Sequence, residues 1–548
     1  MLRNYFKTAW RNLWKNKFYS LLNITGLAAG LAVGILVLLW VQDELSYDRF
    51  HSNSKNIYRV LANVGAGTSR QVWTGLPAPV ATLAKNEVPE VRDAVRISDM
   101  DESLMLEYKD KQFAEQHAAF VDPSFFSVFD FKLLSGNPGE PFHTTNSVIL
   151  TASAARRYFG EEDPIGKTLM EENYQEHFVV DGVMEDIPAN SSIYFDLLFP
   201  MSYYAKNFGG NGQWKTIEED WGNYHFDTYL LLNPGSGTEP VEEKLAAIHN
   251  RHKAEAATDP FTLQALTKTH LYNTDGSEGL MQTVRTFIIV AVFILLIASI
   301  NYVNLSTARS MLRMKEVGVR KITGATRFQL FCQLIAETTL LFLFATAAAF
   351  LLIRLLLPAY YSVSGKEIDP GLLSGRFWSV TGLVVLSTLA LSSIYPALML
   401  SSSEPLKTLK GRLPGGINAA AFRRVLVTLQ FTVSVVLIAG TLVISRQLQY
   451  IQKVELGYDK SYVFTVPLTN EAVSHLDALK DGLRKQPGIL NVSATSINDI
   501  ANLEASTGDI DWPGKPENSD LIISQAVIDK DFLPAMKIQL VEGSNLSG

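Results

Sequence analysis

Five apolar runs, each long enough to cross a lipid bilayer as a helix, constrain this chain more than any other feature of its 548 residues. A helix needs about 20 predominantly apolar residues to span the hydrocarbon core. The runs therefore predict five membrane helices. They are Leu21 to Val41 (TM1), Val284 to Asn304 (TM2), Leu330 to Leu357 (TM3), Trp378 to Leu400 (TM4) and Val425 to Ser445 (TM5).

The composition fits a chain that mixes membrane helices with polar domains, since 47% of its residues are hydrophobic while 19% are charged. The net charge is -7 and the basic residues cluster locally, so nothing indicates nucleic-acid binding. Cys332 is the only cysteine, which excludes a disulfide framework and a cysteine-rich metal site.

Residues 1–20 combine basic and aromatic side chains and carry no acidic residue. This pattern predicts an amphipathic helix lying on the cytosolic leaflet in contact with membrane lipids. A cleaved signal peptide is the alternative, because a basic start precedes an apolar run. TM1 is longer than a usual signal core, however, and no small-residue cleavage site follows it. We therefore expect TM1 to be retained.

The distribution of Lys and Arg predicts the orientation of the chain. By the positive-inside rule, stretches dense in these residues face the cytosol, and the N-terminus is one of them. The stretches are residues 1–20, 305–329 and 401–424. The long regions 42–283 and 446–548 then lie on the other side of the membrane, after TM1 and TM5.

The first extracytosolic region alternates strand-like and helix-like segments. Phe178 to Ile187 and Thr228 to Asn233 have the pattern of strands, while Ala154 to Phe159 and Val241 to His252 have the pattern of helices. Turn sequences rich in Pro, Gly and Asn separate them. The predicted fold class is therefore an α-helical transmembrane bundle with α+β domains outside the membrane.

The basic segment between TM2 and TM3 has the pattern of a helical elbow. Basic and apolar residues alternate at helical spacing, and Glu316 and Arg320 stand four residues apart, as in a helical ion pair. Gly324 is placed to end this helix. Thr326 followed by Gln329 predicts a capping box that starts the next helix, which leads into TM3.

The alternative for this segment is a solvated basic loop that only obeys the positive-inside rule. Gly318 argues against it, because a glycine inside a helix costs about 1 kcal/mol relative to alanine. That cost is understandable where another backbone must approach closely. We therefore predict a contact surface for a cytosolic partner here.

Two segments of the chain repeat each other. Residues 119–136 align without gaps to residues 526–543, and each copy follows a basic amphipathic stretch and one membrane helix. We interpret this as an internal duplication. The first copy continues into a long domain and three membrane helices, while few residues follow the second. We therefore expect the 548 residues to be a fragment whose second outer domain is truncated, and the intact protein to have about eight membrane helices.

Gly160 to Thr168, with the sequence GEEDPIGKT, nearly matches a phosphate-binding loop. The glycine required five positions before Gly166 is Glu161, and two adjacent carboxylates would repel phosphate. We predict a turn between a helix and a strand there. The scattered histidines, His249 and His252 among them, lack a carboxylate partner and are interpreted as surface residues.

Other residues have a functional and a structural interpretation. Glu337 and Arg354 are ionisable groups within TM3, which makes them functional candidates, but both are near enough to a helix end for their side chains to reach the interface. Gly26, Gly30 and Gly34 recur every four residues on TM1. This ridge favours close helix packing, either in a dimer or within the same bundle.

Several motifs together resemble the MacB-like/FtsX-like ABC transporter permeases along the whole chain. They are E-V-G-V-R-K-x-x-G-A (Glu316 to Ala325), RNLWKNKFYSLLNITGLAAG (Arg11 to Gly30), RRYFGEEDPIGKTL (Arg156 to Leu169), DGVMEDIPANSSIYFD (Asp181 to Asp196) and YPALMLSSSEPLKTLKG (Tyr395 to Gly411). The resemblance implies a protein of the bacterial inner membrane, with its large α+β domains in the periplasm.

The resemblance also implies partners and roles. A separate cytosolic ATPase would bind ATP and Mg, so this chain would be a permease with no cofactor and no ATPase site of its own. The permease would act as a homodimer or as a pair of permeases, with a periplasmic or outer-membrane partner possible. The implied ATPase contacts are Arg313, Glu316, Gly318, Arg320, Lys321, Gly324 and Ala325, with Tyr395, Pro396 and Pro405 shaping the second cytosolic turn.

Two functions from different classes fit these implications. In the first, ATP hydrolysis moves the periplasmic domains and so exports or extracts a lipoprotein, peptide or drug. In the second, the chain is a mechanical or signalling scaffold of the FtsX type that controls a periplasmic activity and transports nothing. A sensor receptor is disfavoured by the short cytosolic segments, and an enzyme by the lack of a recognisable nucleophile and base.

Overall fold

The protein is described from a computed structural model. The structure describes residues 2–65, 70–100, 104–171, 176–210, 214–252, 260–366, 375–402, 416–459, 461–466, 468, 470–497, 500, 506, 507, 510, 512–514 and 521–546. At residues 2–6, 310–316, 376, 399, 402, 416–420, 470, 471 and 506 the description covers the backbone alone.

The described chain forms two compact units. The membrane-helix unit consists of Met1–Leu45 and Leu280–Val454, and the sheet unit consists of Ser46–Gly279 and Glu455–Gly548. The helices in chain order are α1 (Leu2–Lys15), α2 (Lys17–Glu44), α3 (Pro79–Glu87), α4 (Phe125–Phe129), α5 (Ala152–Phe159), α6 (Met201–Asn207), α7 (Thr238–His252), α8 (Leu266–Thr269), α9 (Leu280–Ile322), α10 (Arg327–Ser364), α11 (Gly375–Ser402), α12 (Gly416–Lys453), α13 (Asn470–Ser474), α14 (Leu476–Arg484) and α15 (Phe532–Ala535).

The strands belong to the sheet unit. They are β1 (Ile57–Val64), β2 (Gln71–Trp73), β3 (Gly75–Leu76), β4 (Val91–Asp99), β5 (Leu104–Tyr108), β6 (Lys111–Glu115), β7 (Ala118–Val121), β8 (Leu133–Ser135), β9 (Ser147–Thr151), β10 (Thr168–Glu171), β11 (Glu176–Met184), β12 (Leu197–Pro200), β13 (Phe226–Leu232), β14 (Phe261–Ala265), β15 (Ser506–Thr507) and β16 (Ile523–Ser524).

Five helices are long and apolar enough to cross a membrane. Their apolar parts are Lys17–Glu44, Leu280–Arg309, Arg327–Ser364, Phe377–Leu398 and Ala421–Lys453. The core of the unit is built by α2, α9, α10 and α11, and fully buried residues such as Leu31, Ile35 and Ala345 lie at its centre. This bundle and the mixed sheet described below confirm the predicted fold class.

The structure corrects two details of the predicted helices. The N-terminal helix was expected to span residues 1–20, but it ends at Lys15, because Asn16 leaves helical geometry (φ -126°, ψ 52°). The Asn16 side chain instead donates to the carbonyl oxygen of Asn12 at 3.0 Å, and the Ser20 hydroxyl donates to the carbonyl oxygen of Leu13 at 3.1 Å. These bonds satisfy carbonyls at the end of α1, next to the start of α2.

The predicted TM3 ends at Leu357, and the helix that contains it is longer. Helix α10 continues through Pro358 to Ser364 and ends at Gly365, which has a left-handed conformation (φ 66°). The helix tolerates the proline because Tyr360 and Tyr361 in the following turn pack against the bundle core.

The described strands β1 to β14 form one mixed sheet. Its main path runs β14-β1-β13-β4-β7-β12-β9-β11-β10-β5-β6, with β2 beside β1, β3 beside β13 and β8 beside β11. The β11/β9 and β12/β7 pairs are parallel, while the other described pairs in the sheet are antiparallel. The strands and helices predicted in this region are confirmed at β11, β13, α5 and α7.

Both faces of the sheet are covered. On one face, Phe125, Phe129 and Tyr229 pack with the strand residues Val95 and Ile149. Two further hydrophobic clusters form between the strands and helices, one with α3 and α7 and the other with α5. The sheet is therefore buried between helices, as expected for strands rich in Val, Ile and Leu.

The duplicated segments share local backbone geometry. Asp130 and Lys537 are equivalent in the alignment, and both adopt the left-handed conformation with φ 55°. Gly136 and Gly543 are also equivalent and have φ of 108° and 93°. A non-glycine residue rarely adopts the left-handed conformation. Its occurrence at equivalent positions of both copies therefore supports the duplication.

An aspartate at equivalent positions of the two copies, Asp122 and Asp529, also makes similar hydrogen bonds. Asp122 accepts hydrogen bonds from the backbone N–H, Nε and Nη2 of Arg96, each at 2.9 Å. In the second copy, Asp529 accepts from the backbone N–H of Ala494 at 2.9 Å and from Nζ of Lys480 at 2.5 Å. The cation differs and comes from another element, but in each copy the aspartate also accepts from the backbone N–H of an earlier segment.

We predict that Asp122→Asn destabilises the sheet unit by about 3 kcal/mol, because it leaves the buried Arg96 charge without its main partner. Amides of β4 and β7 should then exchange with deuterium up to about 100-fold faster in the purified full chain. Asp110→Asn, in the exposed turn between β5 and β6, is the control and should have no effect. Equal exchange in both variants would mean that Glu218, 2.5 Å from Arg96, suffices as its counter-ion.

Candidate functional site

The candidate site is the elbow between α9 and α10. Helix α9 is continuous from Leu280 to Ile322, whereas its apolar part ends at Arg309. At 1.5 Å per residue, the helix projects about 20 Å beyond the apolar part. The predicted basic helix is therefore the end of a membrane helix, with no break between them.

The end of α9 is closed by a Schellman motif. The Ala325 N–H donates to the carbonyl oxygen of Arg320 at 2.9 Å, and the Gly324 N–H donates to that of Lys321 at 3.1 Å. Gly324 has φ 100°, a conformation that a residue with a Cβ rarely adopts. The prediction that Gly324 ends the helix is thus confirmed, with a physical reason for glycine.

Helix α10 begins at once with the predicted capping box. The Gln329 N–H donates to the Thr326 hydroxyl oxygen at 3.2 Å, and the Thr326 N–H donates to Gln329 Oε1 at 3.1 Å. The Schellman motif and the capping box follow one another directly in the chain. The turn between the helices is therefore short, and its backbone N–H groups from Thr323 to Thr326 are all hydrogen-bonded.

Two basic side chains of α9 fasten the elbow to neighbouring helices. Arg320 Nη1 donates to Gln333 Oε1 of α10 at 2.6 Å, and Lys321 Nζ donates to the carbonyl oxygen of Ser401 in the last turn of α11 at 2.7 Å. A cation is favoured at the C-terminus of a helix. Burial, with a smaller effect of the nearby Arg327, lowers the pKa of Lys321.

Hydrogen bonds continue from the elbow to the N-terminal helix. Gln333 Nε2 donates to one carboxylate oxygen of Glu337 at 3.3 Å, and Asn12 Nδ2 donates to the other at 2.9 Å. Asn16 Nδ2 in turn donates to Asn12 Oδ1 at 3.0 Å. We call the series Arg320, Gln333, Glu337, Asn12 the polar relay. It joins the tip of α9 to α1 through the first turns of α10.

The tip of the elbow exposes apolar side chains. Val319 and Ile322 are more than half exposed, and Phe328 is 73% exposed. Arg327 stands beside them on the chain. A cluster of exposed apolar residues next to basic ones is typical of a protein contact surface.

The remaining residues implied as ATPase contacts differ in their location. Gly318 is buried in α9. The side chains of Arg313 and Glu316 lie outside the described residues, so the Glu316 to Arg320 pair stays a prediction. In the second turn, the Tyr395 ring contacts that of Phe422, with centroids 4.2 Å apart and planes tilted by 32°. Pro396 lies within α11, and Pro405 lies outside the described residues.

The glycines of TM1 differ from one another. A Cβ added at Gly30 would lie 2.6 Å from Cβ of Ala298, and one at Gly34 would lie 2.7 Å from Cδ2 of Leu295. Both positions therefore allow α2 to pack closely against α9. A Cβ at Gly26 would meet nothing within 4 Å, so Gly26 has no part in that contact.

The segment that resembles a phosphate-binding loop is a turn between α5 and β10, as predicted. Lys167, the residue that would bind phosphate, is held by Glu162, which also accepts from Lys109 at 3.0 Å. These hydrogen bonds to Lys167 and Lys109 lower the pKa of Glu162 to about 2. Glu162 is therefore ionised at neutral pH and paired with Lys167.

The interpretation of the histidines as surface residues is wrong for two of them. His51 and His249 are buried, and His249 packs edge-to-face against Trp221 and Phe261. Aromatic neighbours distant in sequence bury them. Among the described residues, no group of three or more His, Cys, Asp or Glu side chains could hold a metal ion.

The polar relay is not predicted by the sequence patterns. Gln333 and Glu337 stand four residues apart at the start of an apolar run, and that spacing is a usable signal. The contact of Glu337 with Asn12, more than three hundred residues away in the chain, left no local pattern.

Comparison with known families identifies the class of this chain. Residues 20–248 match the MacB-like periplasmic core domain, and residues 288–405 match the FtsX-like permease C-terminal domain. The second match contains the whole elbow. Together the matches cover more than half of the chain, which belongs to the MacB-like/FtsX-like family of ABC transporter permeases. It is a membrane protein with a periplasmic domain.

Curated relatives are ABC exporter components. The pyoverdine export ATP-binding/permease protein PvdT of Pseudomonas savastanoi pv. phaseolicola is 22% identical over 344 residues, which are 61% of this chain and 49% of PvdT. The macrolide export ATP-binding/permease protein MacB of Aggregatibacter actinomycetemcomitans is 25% identical over 251 residues, 44% of this chain and 35% of MacB. The chain spans about half the length of these relatives or less.

Solved structures also resemble part of the chain. A permease domain from Porphyromonas gingivalis is 22% identical and aligns with 43% of this chain and 98% of its own length, with a TM-score of 0.34. The periplasmic region of MacB from Actinobacillus actinomycetemcomitans is 18% identical and aligns with 42% of this chain and 94% of its own length, with a TM-score of 0.29.

We predict that Thr326→Val loosens the first turn of α10. The substitution removes the hydroxyl that accepts from the Gln329 N–H, at a cost of about 1 kcal/mol. Hydrogen exchange of the Phe328 and Gln329 amides should be about fivefold faster in the purified chain. Thr339→Val, an exposed threonine further along α10, is the matched control. If both variants exchange like the native chain, the capping box does not hold the elbow.

Proposed function

We propose that this chain is the permease subunit of an ABC transporter, and that a separate cytosolic ATPase drives it by pushing on the elbow of α9 and α10. The elbow is the observation that carries the proposal. It presents exposed apolar and basic side chains on a tip whose turn N–H groups are hydrogen-bonded. A partner that binds this tip would act on two membrane helices at once.

The internal contacts supply a route for movement. Helix α9 has no break between the elbow and the bundle core, so a displacement of the tip would move its membrane part. The polar relay and the Lys321 contact to Ser401 would carry the same displacement to α1 and α11. Packed helices that shift as rigid bodies are a common means of coupling distant sites.

The proposed assembly has further parts. The ATPase would bind ATP and Mg, and the permease would work as a homodimer or with a related permease in the bacterial inner membrane, with its N-terminus in the cytosol. Movement of the periplasmic domains would export or extract a lipoprotein, peptide or drug, alone or with a periplasmic or outer-membrane partner. The export functions named for PvdT and MacB favour this class of activity.

We predict that Phe328→Asp weakens binding of the ATPase about tenfold, since a buried aromatic contact at an interface typically contributes at least that much. The tagged full-length protein would be purified from its native membrane, and ATP hydrolysis retained with it would be measured. Val363→Asp is the matched control, because Val363 is 87% exposed near the opposite end of α10.

The proposal requires a specific pattern of results. ATP hydrolysis should be retained with the native protein and with Val363→Asp, and should fall about tenfold with Phe328→Asp. Equal retention by both variants would exclude the elbow as the ATPase contact. Absence of ATP hydrolysis from every preparation, including one stabilised by chemical cross-linking, would contradict the ABC transporter proposal itself.

A further inference from the structure

The residues that follow α2 are fastened to the sheet unit by side-chain hydrogen bonds. We call residues 46–52 the junction segment. The Ser192 N–H donates to Asp48 Oδ1 at 2.8 Å. The N–H and the hydroxyl of Ser52 donate to Asp130 Oδ2 at 2.7 Å and 2.6 Å. Two separate loops of the sheet unit therefore hold the segment that leads from α2 to β1.

His51 lies between these two attachments, and its ring is buried. Its Nδ1 is hydrogen-bonded to the carbonyl oxygen of Phe129 at the end of α4. Because a carbonyl oxygen only accepts, Nδ1 carries the hydrogen and Nε2 of the neutral ring is an acceptor. Within the described part of the chain, His51 Nε2 and Asp48 Oδ2 are buried atoms without a hydrogen-bond partner. The junction segment thus contains a buried base and a buried acid, each with one unsatisfied atom.

The ionisable groups that face this pair come from several elements. Asp48 and Asp130 act on His51, and Asp48 in turn faces His270, which follows α8, and Tyr229 of β13. Aromatic rings surround the imidazole as well. They are Phe50, Phe129 and Phe131, with ring centroids 4.1 to 5.7 Å from that of His51. A proton added to this ring would therefore enter a largely apolar site.

The pKa values of the two buried groups shift in opposite directions. Burial lowers the pKa of His51, with smaller opposing effects from the Phe129 carbonyl and the two aspartates. As the pH falls below the ordinary histidine pKa of about 6.5, a released ring takes up a proton more readily than the buried ring, so the buried state loses stability. Burial raises the pKa of Asp48, and protonation of Asp48 therefore favours the buried state. Of the two groups, His51 has the ordinary pKa nearer to neutrality.

We propose that the junction segment is an acid-sensitive joint, in which protonation of His51 releases residues 46–52 from the sheet unit. An imidazolium is costly to bury away from water, so the ring would leave its site. Asp48 and Ser52 flank the ring in the chain, and their hydrogen bonds would open with it. These residues match the periplasmic core domain, so the joint would respond to the pH on that side of the membrane. The inference does not depend on the proposed function in transport.

The duplication provides a comparison within the same chain. In the second copy, Asp459 and Lys537 stand at the positions of Ser52 and Asp130. Lys537 Nζ donates to Asp459 Oδ2 at 2.7 Å, so the two positions are again joined, with donor and acceptor exchanged. The Asp459 N–H also donates to the carbonyl oxygen of Met536 at 2.9 Å. Both copies therefore attach the residues after a membrane helix at the same place.

The second copy has a different residue at the position of the histidine. Tyr458 stands there in place of His51. The hydrogen bond from Lys537 is the main cause that lowers the pKa of Asp459 to about 2. This carboxylate therefore stays ionised between pH 7.5 and pH 5.5. The second attachment should be insensitive to acid in the range where the first is sensitive.

The test is hydrogen exchange of the purified full-length chain at pH 7.5 and pH 5.5, with rates corrected for the intrinsic pH dependence of amide exchange. The amides of Asp48, Ser52 and Ser192 report on the first attachment, and the amide of Asp459 reports on the second. We expect the first three to lose protection by up to about tenfold at pH 5.5, since uptake of one proton changes an opening equilibrium by at most tenfold per pH unit. The Asp459 amide should keep its protection.

Variants assign the effect to the histidine. In His51→Asn, the asparagine keeps an N–H donor in place of Nδ1 but does not titrate. The three amides should then exchange equally at both pH values. His177→Gln, which replaces an exposed histidine on β11, is the control and should keep the pH difference of the native chain.

Equal protection of the three amides at both pH values in the native chain would overturn the proposal, whether or not any variant folds. A pH difference that persists in His51→Asn would overturn it as well, because another group would then be its cause. An equal loss of protection at Asp459 would show that acid opens the sheet unit as a whole, which excludes a local joint.

Discussion

The membrane-helix unit depends on how closely α2 approaches α9. At Gly30 and Gly34 the distance leaves no room for a Cβ. In a bilayer, helices gain little from the hydrophobic effect and associate through close packing, so small residues determine where they meet. Helix α10 packs against α2, and α11 packs against α9 and α10 and completes the buried core with Phe377, Val380 and Val384. A larger residue at position 30 would displace α9 and, with it, the helix α11 that packs against it.

The elbow illustrates a second constraint, which is that every helix end leaves backbone groups to satisfy. Here the C-terminal cap of α9 and the N-terminal cap of α10 adjoin, and each uses a residue suited to it, Gly324 and Thr326. Side-chain bonds from Arg320 and Lys321 then attach the capped turn to α10 and α11. Local backbone chemistry and long-range polar contacts therefore stabilise the same short turn.

The sequence was sufficient for those parts of the structure that depend on local patterns. The five apolar helices, the glycine at the end of α9 and the capping box at Thr326 all follow from composition and spacing. The break at Asn16 and the passage of α10 through Pro358 did not, because side-chain bonds and packing against the core override local propensity there. The link from Glu337 to Asn12 depends entirely on tertiary contact.

The continuity of α9 from the bundle core to the elbow means that the helix transmits rotation as well as displacement. Each residue of an α-helix turns the chain by about 100° and advances it by 1.5 Å. The direction in which Val319 and Ile322 face is therefore fixed by the number of residues that separate them from Ala298 in the core. Inserting or deleting one residue of α9 before the tip would therefore rotate the tip about the helix axis by about 100° and expose a different set of side chains.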